Sequence, residues 1–174
     1  MLGWMGDIEA LSIVAATEDD LDAVASLAGV VWRRHYPDII THEQIEYMLA
    51  NGYSRPVLST FISDERSGLE LARVGDRLIG FVAYRRSDAP DELKLEKLYI
   101  HQDYQGRGVG SRLIDKVESA GRAQRCATLV LNVNKNNVQA IRAYEKNGFA
   151  IREAIVVDIG DGFVMDDYIM AKPL

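Results

Sequence analysis

The sequence predicts a mixed α/β fold, a mostly antiparallel central sheet flanked by helices. Three observations lead there. Apolar residues recur at helical spacing near the N-terminus, the middle of the chain changes to short runs rich in Val, Ile, Phe and Tyr, and the second half alternates strand-like runs with helical ones. The chain has 174 residues, 48% of them apolar and 26% charged, which is enough to bury a sizeable core. No repeat, low-complexity block or Pro/Gly-rich linker divides it, so one domain over residues 1–174 is expected.

Each element has its own signal. Leu11, Ile13 and Ala15 alternate as a short strand, after which Asp19 or Asp20 caps a helix with Leu21, Val24, Leu27 and Val31 on one face. The Pro37 region ends that helix. Thr41 and Gln44 have capping-box spacing and open a second helix through Ile45, Met48 and Leu49, which Asn51-Gly52 stops. Leu69 to Val74, the turn Gly75-Asp76 and Leu78 to Tyr84 form a hairpin. A loop through Ser87-Asp88-Ala89-Pro90 leads to a third strand, Leu93 to Ile100. Its strict alternation fails after Lys97, which predicts two partly covered faces or a bulge. After a Gly-rich turn, a helix carries Leu113, Ile114, Val117 and Ala120 and ends near Gly121. Thr128 to Val133 is an almost uninterrupted apolar run, as in a buried parallel or central strand. A helix from about Asn137 with Ala140, Ile141 and Tyr144 follows, stopped by Asn147-Gly148. A hairpin closes the chain: Phe149 to Ile159, Gly160-Asp161-Gly162, and Phe163 to Met170.

Charge narrows the classes. With 20 Lys and Arg against 26 Asp and Glu the net charge is −6, which argues against a phosphate-backbone binder, so no nucleic-acid partner is expected. The acidity suits a cationic partner, or simply keeps the chain soluble. Cys126 is the single cysteine, so a disulfide framework is impossible; it precedes a buried strand and reads as core in a reducing, cytoplasmic compartment. The longest uncharged stretch, Ala23 to Trp32, falls far short of the roughly 20 residues of a membrane helix. Asp7 and Glu9 without a basic run argue against a secretory leader. His35, His42 and His101 are scattered and form no HxH or HExxH pair, so no metal is expected.

The chemical signal is Gln105-Gly106-Arg107-Gly108-Val109-Gly110, placed between a strand and a helix. Glycines there let backbone approach a ligand closely, and a helix N-terminus offers free N–H donors and a positive dipole end. A Walker A loop needs a Lys, but Ser111-Arg112 follow Gly110. A dinucleotide fingerprint needs a third Gly where Ser111 stands, and the next strand ends in Asn132-Val133-Asn134 without the acidic ribose partner. The pattern Gln-x-x-Gly-x-Gly fits, through Gln105, Gly108 and Gly110.

With that loop, Leu98-Tyr99-Ile100 before it, a Leu129 to Val133 strand after it, and Asn137, Ala140, Tyr144 and Gly148-Phe149 beyond, the chain resembles the GNAT superfamily of acetyl-CoA-dependent N-acetyltransferases. The resemblance runs over nearly the whole chain and implies a GNAT-like acyl-CoA N-acyltransferase fold. It implies that backbone N–H groups from Gln105 through Gly106, Arg107, Gly108, Val109 and Gly110 to Ser111 cradle the CoA pyrophosphate. Arg107 adds charge, and Arg112 is a helper on the first helical turn. The pantetheine would lie where the strand ending at Ile100 splays from the Thr128 to Val133 strand, using backbone of Leu98, Tyr99 and Ile100. Asn137 belongs to the same cofactor-binding set. Acetyl-CoA is then the co-substrate.

Acetyl transfer needs a neutral amine, a polarised thioester carbonyl and a proton for the leaving thiolate. The resemblance implies Tyr144 as the acid; the alternative is an aromatic that packs its helix on the sheet. It implies Glu96 as the base, since many members carry theirs on this strand; the alternative is a strand-face glutamate paired with Lys94 or Lys97. Asp91 and Glu92 are further base candidates. The acceptor pocket would be walled by the first two helices and the last hairpin, with Trp32, His35, Tyr36, Pro37 and Asp38 on one side and Asp161, Asp166 and Asp167 on the other. Aromatics plus carboxylates suit a cationic amine. The Trp32 to Ile40 and Asp167 to Leu174 stretches also look like the polyamine (spermidine/spermine) acetyltransferase branch; solvated acids and an aromatic lid are the other reading. The expected function is direct transfer of acetyl to a small primary amine, with Trp32, Tyr36 and Glu96 holding the acceptor. A protein or peptide N-terminal acetyltransferase and a non-catalytic acetyl-CoA-sensing module stay open, as does a homodimer. No membrane partner is expected.

Overall fold

The computed structural model describes residues 10–174; the Asp7 and Glu9 signal lies outside them. In chain order the elements are β1 (Leu11–Ala15), α1 (Leu21–His35), α2 (His42–Gly52), α3 (Arg55–Ser59), β2 (Gly68–Val74), β3 (Arg77–Arg86), β4 (Glu92–Ile100), α4 (Val109–Ala123), β5 (Thr128–Asn134), α5 (Val138–Lys146), β6 (Ala150–Gly160) and β7 (Phe163–Pro173). The short α3 escaped the sequence reading: Ser54 caps it and Pro56 sits in its first turn, signals that resemble a loop. The strands form one seven-stranded sheet in the order β1-β2-β3-β4-β5-β7-β6. Among the described residues only the β4–β5 pair is parallel. The mixed, mostly antiparallel sheet flanked by helices is therefore the observed fold class.

Helices cover both faces of the middle of the sheet, whereas the edge strand β6 is largely exposed. Leu21, Val24, Ala28 and Trp32 of α1, Ile45 of α2 and Leu58 of α3 pack on Leu71, Phe81 and Ala83. Leu113, Ile114 and Val117 of α4 pack on the opposite face, against Leu93, Leu95, Leu129 and Leu131, with Ala140, Ile141 and Tyr144 of α5 beside them. Cys126 is buried in this second layer, as expected of core. Buried apolar area of this kind contributes about 25 cal/mol per Å².

Two helix starts differ in detail from their signals. Asp20 stands at the N-cap position of α1 as expected but makes no side-chain cap bond there; its carboxylate instead accepts the Thr17 N–H at 2.8 Å, as the third residue of a capping box on the 3-10 turn Glu18–Asp20. At α2 the Thr41 hydroxyl accepts the Gln44 N–H at 3.2 Å, but the Gln44 amide turns to β7 and donates to the Val164 carbonyl at 2.9 Å. That bond and Tyr47 Oη to the Ile159 carbonyl, 2.6 Å, tie α2 to the last hairpin.

Strand β4 contains the bulge that its broken alternation predicts. Ala83 pairs with Lys97 and Tyr84 with Leu95, so Glu96 is an extra residue. Leu93 and Leu95 face the α4 layer before it, and Leu98 and Ile100 face the same layer after it. Tyr99 is thereby turned into the α1 layer.

Candidate active site

Strands β4 and β5 pair only from Glu92/Thr128 to Leu95/Leu131. Beyond the bulge they diverge, and a cleft of about 620 Å³ opens between Leu98, Tyr99 and Ile100 on one side and Asn132, Val133 and Asn134 on the other. The β4 backbone facing this gap has no β5 partner, so it can pair with an extended ligand as an added strand would.

The Gly-rich turn forms one end. Gly106 and Gly108 have φ of 74° and 81°, the left-handed region that disfavours a side chain. A Cβ at either would meet nothing within 4 Å, so their role is conformational. Gly108 caps α4, whose first internal bond runs from Arg112 N–H to the Gly108 carbonyl at 3.2 Å. The N–H groups of Val109, Gly110 and Ser111 therefore have no acceptor within the helix, and they stand at its positive dipole end. Gln105, Gly106, Gly108, Val109, Gly110 and Ser111 all line the cleft. The Gln105 side chain braces the turn by donating to the Ile100 carbonyl at 3.1 Å. Arg107 does not line the cleft; its guanidinium lies 5.3 Å from the Tyr104 ring centre. Arg112 points to solvent outside the cleft.

Tyr144 reaches the cleft from α5, its ring edge-on to Phe149 at 5.6 Å. Burial raises its phenol above the usual range, with Tyr36 adding to the shift, so the group keeps its proton at neutral pH. Opposite stands an aromatic wall. Trp32 stacks on Tyr36 at 4.2 Å and donates its indole N–H to Tyr53 Oη at 3.1 Å, while Tyr36 and Tyr99 hydroxyls meet at 3.4 Å. Asn137 caps α5, is buried, and meets His35 Nε2 through Oδ1 at 2.9 Å. This bond joins the end of α1 to the start of α5 across the cleft.

The charged groups are distributed differently from their sequence reading. Glu96 lines the cleft with its side chain 27% exposed, 3.8 Å from both Arg85 and Lys94. Lys97 is not its ion-pair partner: Lys97 Nζ lies 4.1 Å from the Tyr53 ring centre, and burial lowers its pKa to about 8 against the opposing pull of Glu96. Asp167 is buried and lines the cleft. Burial, then the neighbouring Asp166 charge, pushes its carboxyl up to about 6, with Lys94 and Lys135 opposing. Asp38, Pro37, Asp161 and Asp166 do not line the cleft. Asp161 sits in the exposed hairpin turn and Asp166 pairs with Lys135. Asp91 and Glu92 lie at the far end of β4, where Glu92 pairs with Arg152 at 2.7 Å and the Asp91 carbonyl accepts the Ala127 N–H. His101 accepts the Asp103 N–H on its Nδ1, and His42 begins α2.

Tyr53, Lys97 and the Asn132 to Asn134 segment were not singled out as site residues from the sequence. The broken alternation of β4 is the one signal that could have placed Lys97 on the acceptor side. Tyr53 follows a helix stop and has no such signal.

A mixed sheet whose one parallel pair splays open beside a Gly-rich helix start defines an acyl-CoA transferase architecture. The Acetyltransferase (GNAT) family model matches residues 23–149, and the chain belongs to that family. It is 28% identical to an uncharacterized N-acetyltransferase of Mycobacterium tuberculosis over 155 residues, 89% of this chain and 98% of that protein. It is 26% identical to the spermidine N(1)-acetyltransferase of Thermoplasma acidophilum over 152 residues, 85% of this chain and 91% of that one. Its fold matches the crystal structure of the PaiA N-acetyltransferase of Thermoplasma acidophilum in complex with coenzyme A, with a TM-score of 0.80, 24% identity and coverage of 94% and 99% of the two chains. The chain is an N-acetyltransferase, and the non-catalytic alternative gives way.

Proposed function

We propose that the protein transfers the acetyl group of acetyl-CoA directly to a small, cationic primary amine in a ternary complex. The observation that carries this reading is the β4–β5 gap, which runs from the Gly-rich start of α4 to a wall of aromatic and acidic side chains. Amides of Gly106 and of Gly108 to Ser111 receive the pyrophosphate, and the backbone of Leu98, Tyr99 and Ile100 pairs with the pantetheine; the Gln105 N–H is spent on the Gln102 carbonyl and Arg107 stands outside the cleft. The similar Thermoplasma structure is a complex with coenzyme A, which supports acetyl-CoA as the co-substrate.

Tyr144 is the proton donor to the leaving thiolate: it lines the cleft and stays protonated. Asn137, held by His35, keeps the start of α5 and hence Tyr144 in place. Trp32 and Tyr36 form the face on which the acceptor's alkyl chain and ammonium lie. Glu96 contributes negative charge on the acceptor side, partly matched by Arg85 and Lys94. Relatives named spermidine and spermine/spermidine N(1)-acetyltransferase support a polyamine acceptor.

The test is release of CoA thiol from acetyl-CoA with spermidine, spermine, shorter diamines, amino acids and N-terminal peptides, against a control without acceptor. Saturable release with a polyamine is expected. Release confined to peptides, or none above the control while acetyl-CoA binds, overturns the proposal.

A further inference from the structure

Two carboxylates reach the acceptor side of the cleft, and they differ in what already satisfies them. Glu96 stands between Arg85 and Lys94, 3.8 Å from each. Asp167 pairs in register with Asn134 at the open end of β5, and it is 5% exposed. Its side chain lines the cleft, and among the described residues its Oδ1 has no hydrogen-bond partner. A buried oxygen of this kind calls for a donor, and the cleft that Asp167 lines is open to one. We infer that Asp167 docks the acceptor's ammonium group and accepts its proton, a role that rests on the transferase reading above.

The surroundings fit that role. Asp166 adjoins it on β7, Lys94 faces it from β4, Lys135 from the end of β5, and Tyr36 from α1. Lys135 is engaged by Asp166, and Lys94 by Glu96, so neither cation is committed to Asp167. An incoming ammonium supplies the missing N–H donor beside the Trp32–Tyr36 face.

The step balances. One N–H proton passes from the ammonium to the Asp167 carboxylate, leaving a neutral amine and a carboxylic acid. The amine lone pair forms the C–N bond to the thioester carbon and the C–S bond breaks. The thiolate takes the Tyr144 proton, Tyr144 regains one from the new amide nitrogen, and Asp167 returns its proton to solvent. Net, one proton is released per acetyl transferred. A carboxyl held near 6 narrows the gap to an alkylammonium at about 10.4, compared with an exposed aspartate at about 3.9.

The experiment compares Asp167→Asn, Asp167→Glu and Glu96→Gln in the full chain, with spermidine as the probe. Asp167→Asn should lower kcat/KM by about 100-fold or more and remove the acid limb of its pH profile near 6, with CoA affinity unchanged as the control for folding. Asp167→Glu should restore part of the rate, and Glu96→Gln should keep the limb. Independently, the carboxyl carbon resonance of Asp167, assigned by its loss in the Asn variant, should shift when spermidine is added with CoA. Parent-like kcat/KM and pH profile in Asp167→Asn, or an Asp167 resonance indifferent to spermidine that is being acetylated, overturns the inference. If spermidine moves that resonance while no amine stimulates thiol release, the ammonium site stands and the transferase reading falls.

Discussion

At position 144 a single oxygen atom separates an acid from a packing group. Tyr144→Phe keeps the edge contact with Phe149 and removes the hydroxyl proposed as proton donor. Turnover should fall about 100-fold, with acetyl-CoA affinity within about twofold by calorimetry. Lys97 gives a second prediction. Its folded pKa of about 8 lies below the 10.5 of a free lysine, so the stability it contributes is present above pH 10.5 and is lost as pH falls through about 8. Lys97→Met should therefore raise the melting temperature more at pH 7 than at pH 10. Tyr144 was legible because a 3.6-residue period and the Asn147-Gly148 stop fix its place on α5. Lys97 and Asp167 were not singled out from their neighbours. Which way Lys97 points depends on one extra residue in β4, and Asp167 is distinguished from Asp166 only by a register with Asn134, set far away in sequence.

Among the elements, the turn into α4 and the bulged strand β4 carry the most consequence. Gly108 holds φ at 81°, and an alanine there is disfavoured by about 1–2 kcal/mol. Gly108→Ala should weaken acetyl-CoA binding up to about tenfold in calorimetry, through a displaced first turn of α4. An unchanged Kd would mean that the turn's shape is not what binds the phosphates. The Gly-rich signal was visible because Gly106, Gly108 and Gly110 fall within five residues, so their spacing is local. The failed alternation after Lys97 likewise left a mark of the bulge, although it did not say which residue was extra. The unread α3 shows the converse, since one turn of helix opened by Ser-Arg-Pro has too few residues for a period to register.

For the molecule as a whole, a net charge of −6 bears on acceptor capture. Raising ionic strength from about 0.01 M to about 0.1 M shortens the screening length from about 30 Å to about 10 Å, so KM for spermidine should rise more than KM for a monoamine. Equal changes would confine the attraction to groups inside the cleft. Element order was readable along the chain, because each helix and strand is written in its own residues. The insertion of β7 between β5 and β6 was not, since it is decided by long-range pairing.

The short parallel ladder between β4 and β5 also has a mechanical side. Within the sheet, β1–β4 and β5–β7–β6 are two plates welded over a four-pair seam from Glu92/Thr128 to Leu95/Leu131, with a notch beyond it. Stress applied across the sheet concentrates at the root of that notch, beside Glu96. A ligand whose extended arm bonded to the free rim of β4, as proposed for the pantetheine, would act as a rivet set past the crack tip and would stiffen the sheet as it filled the notch.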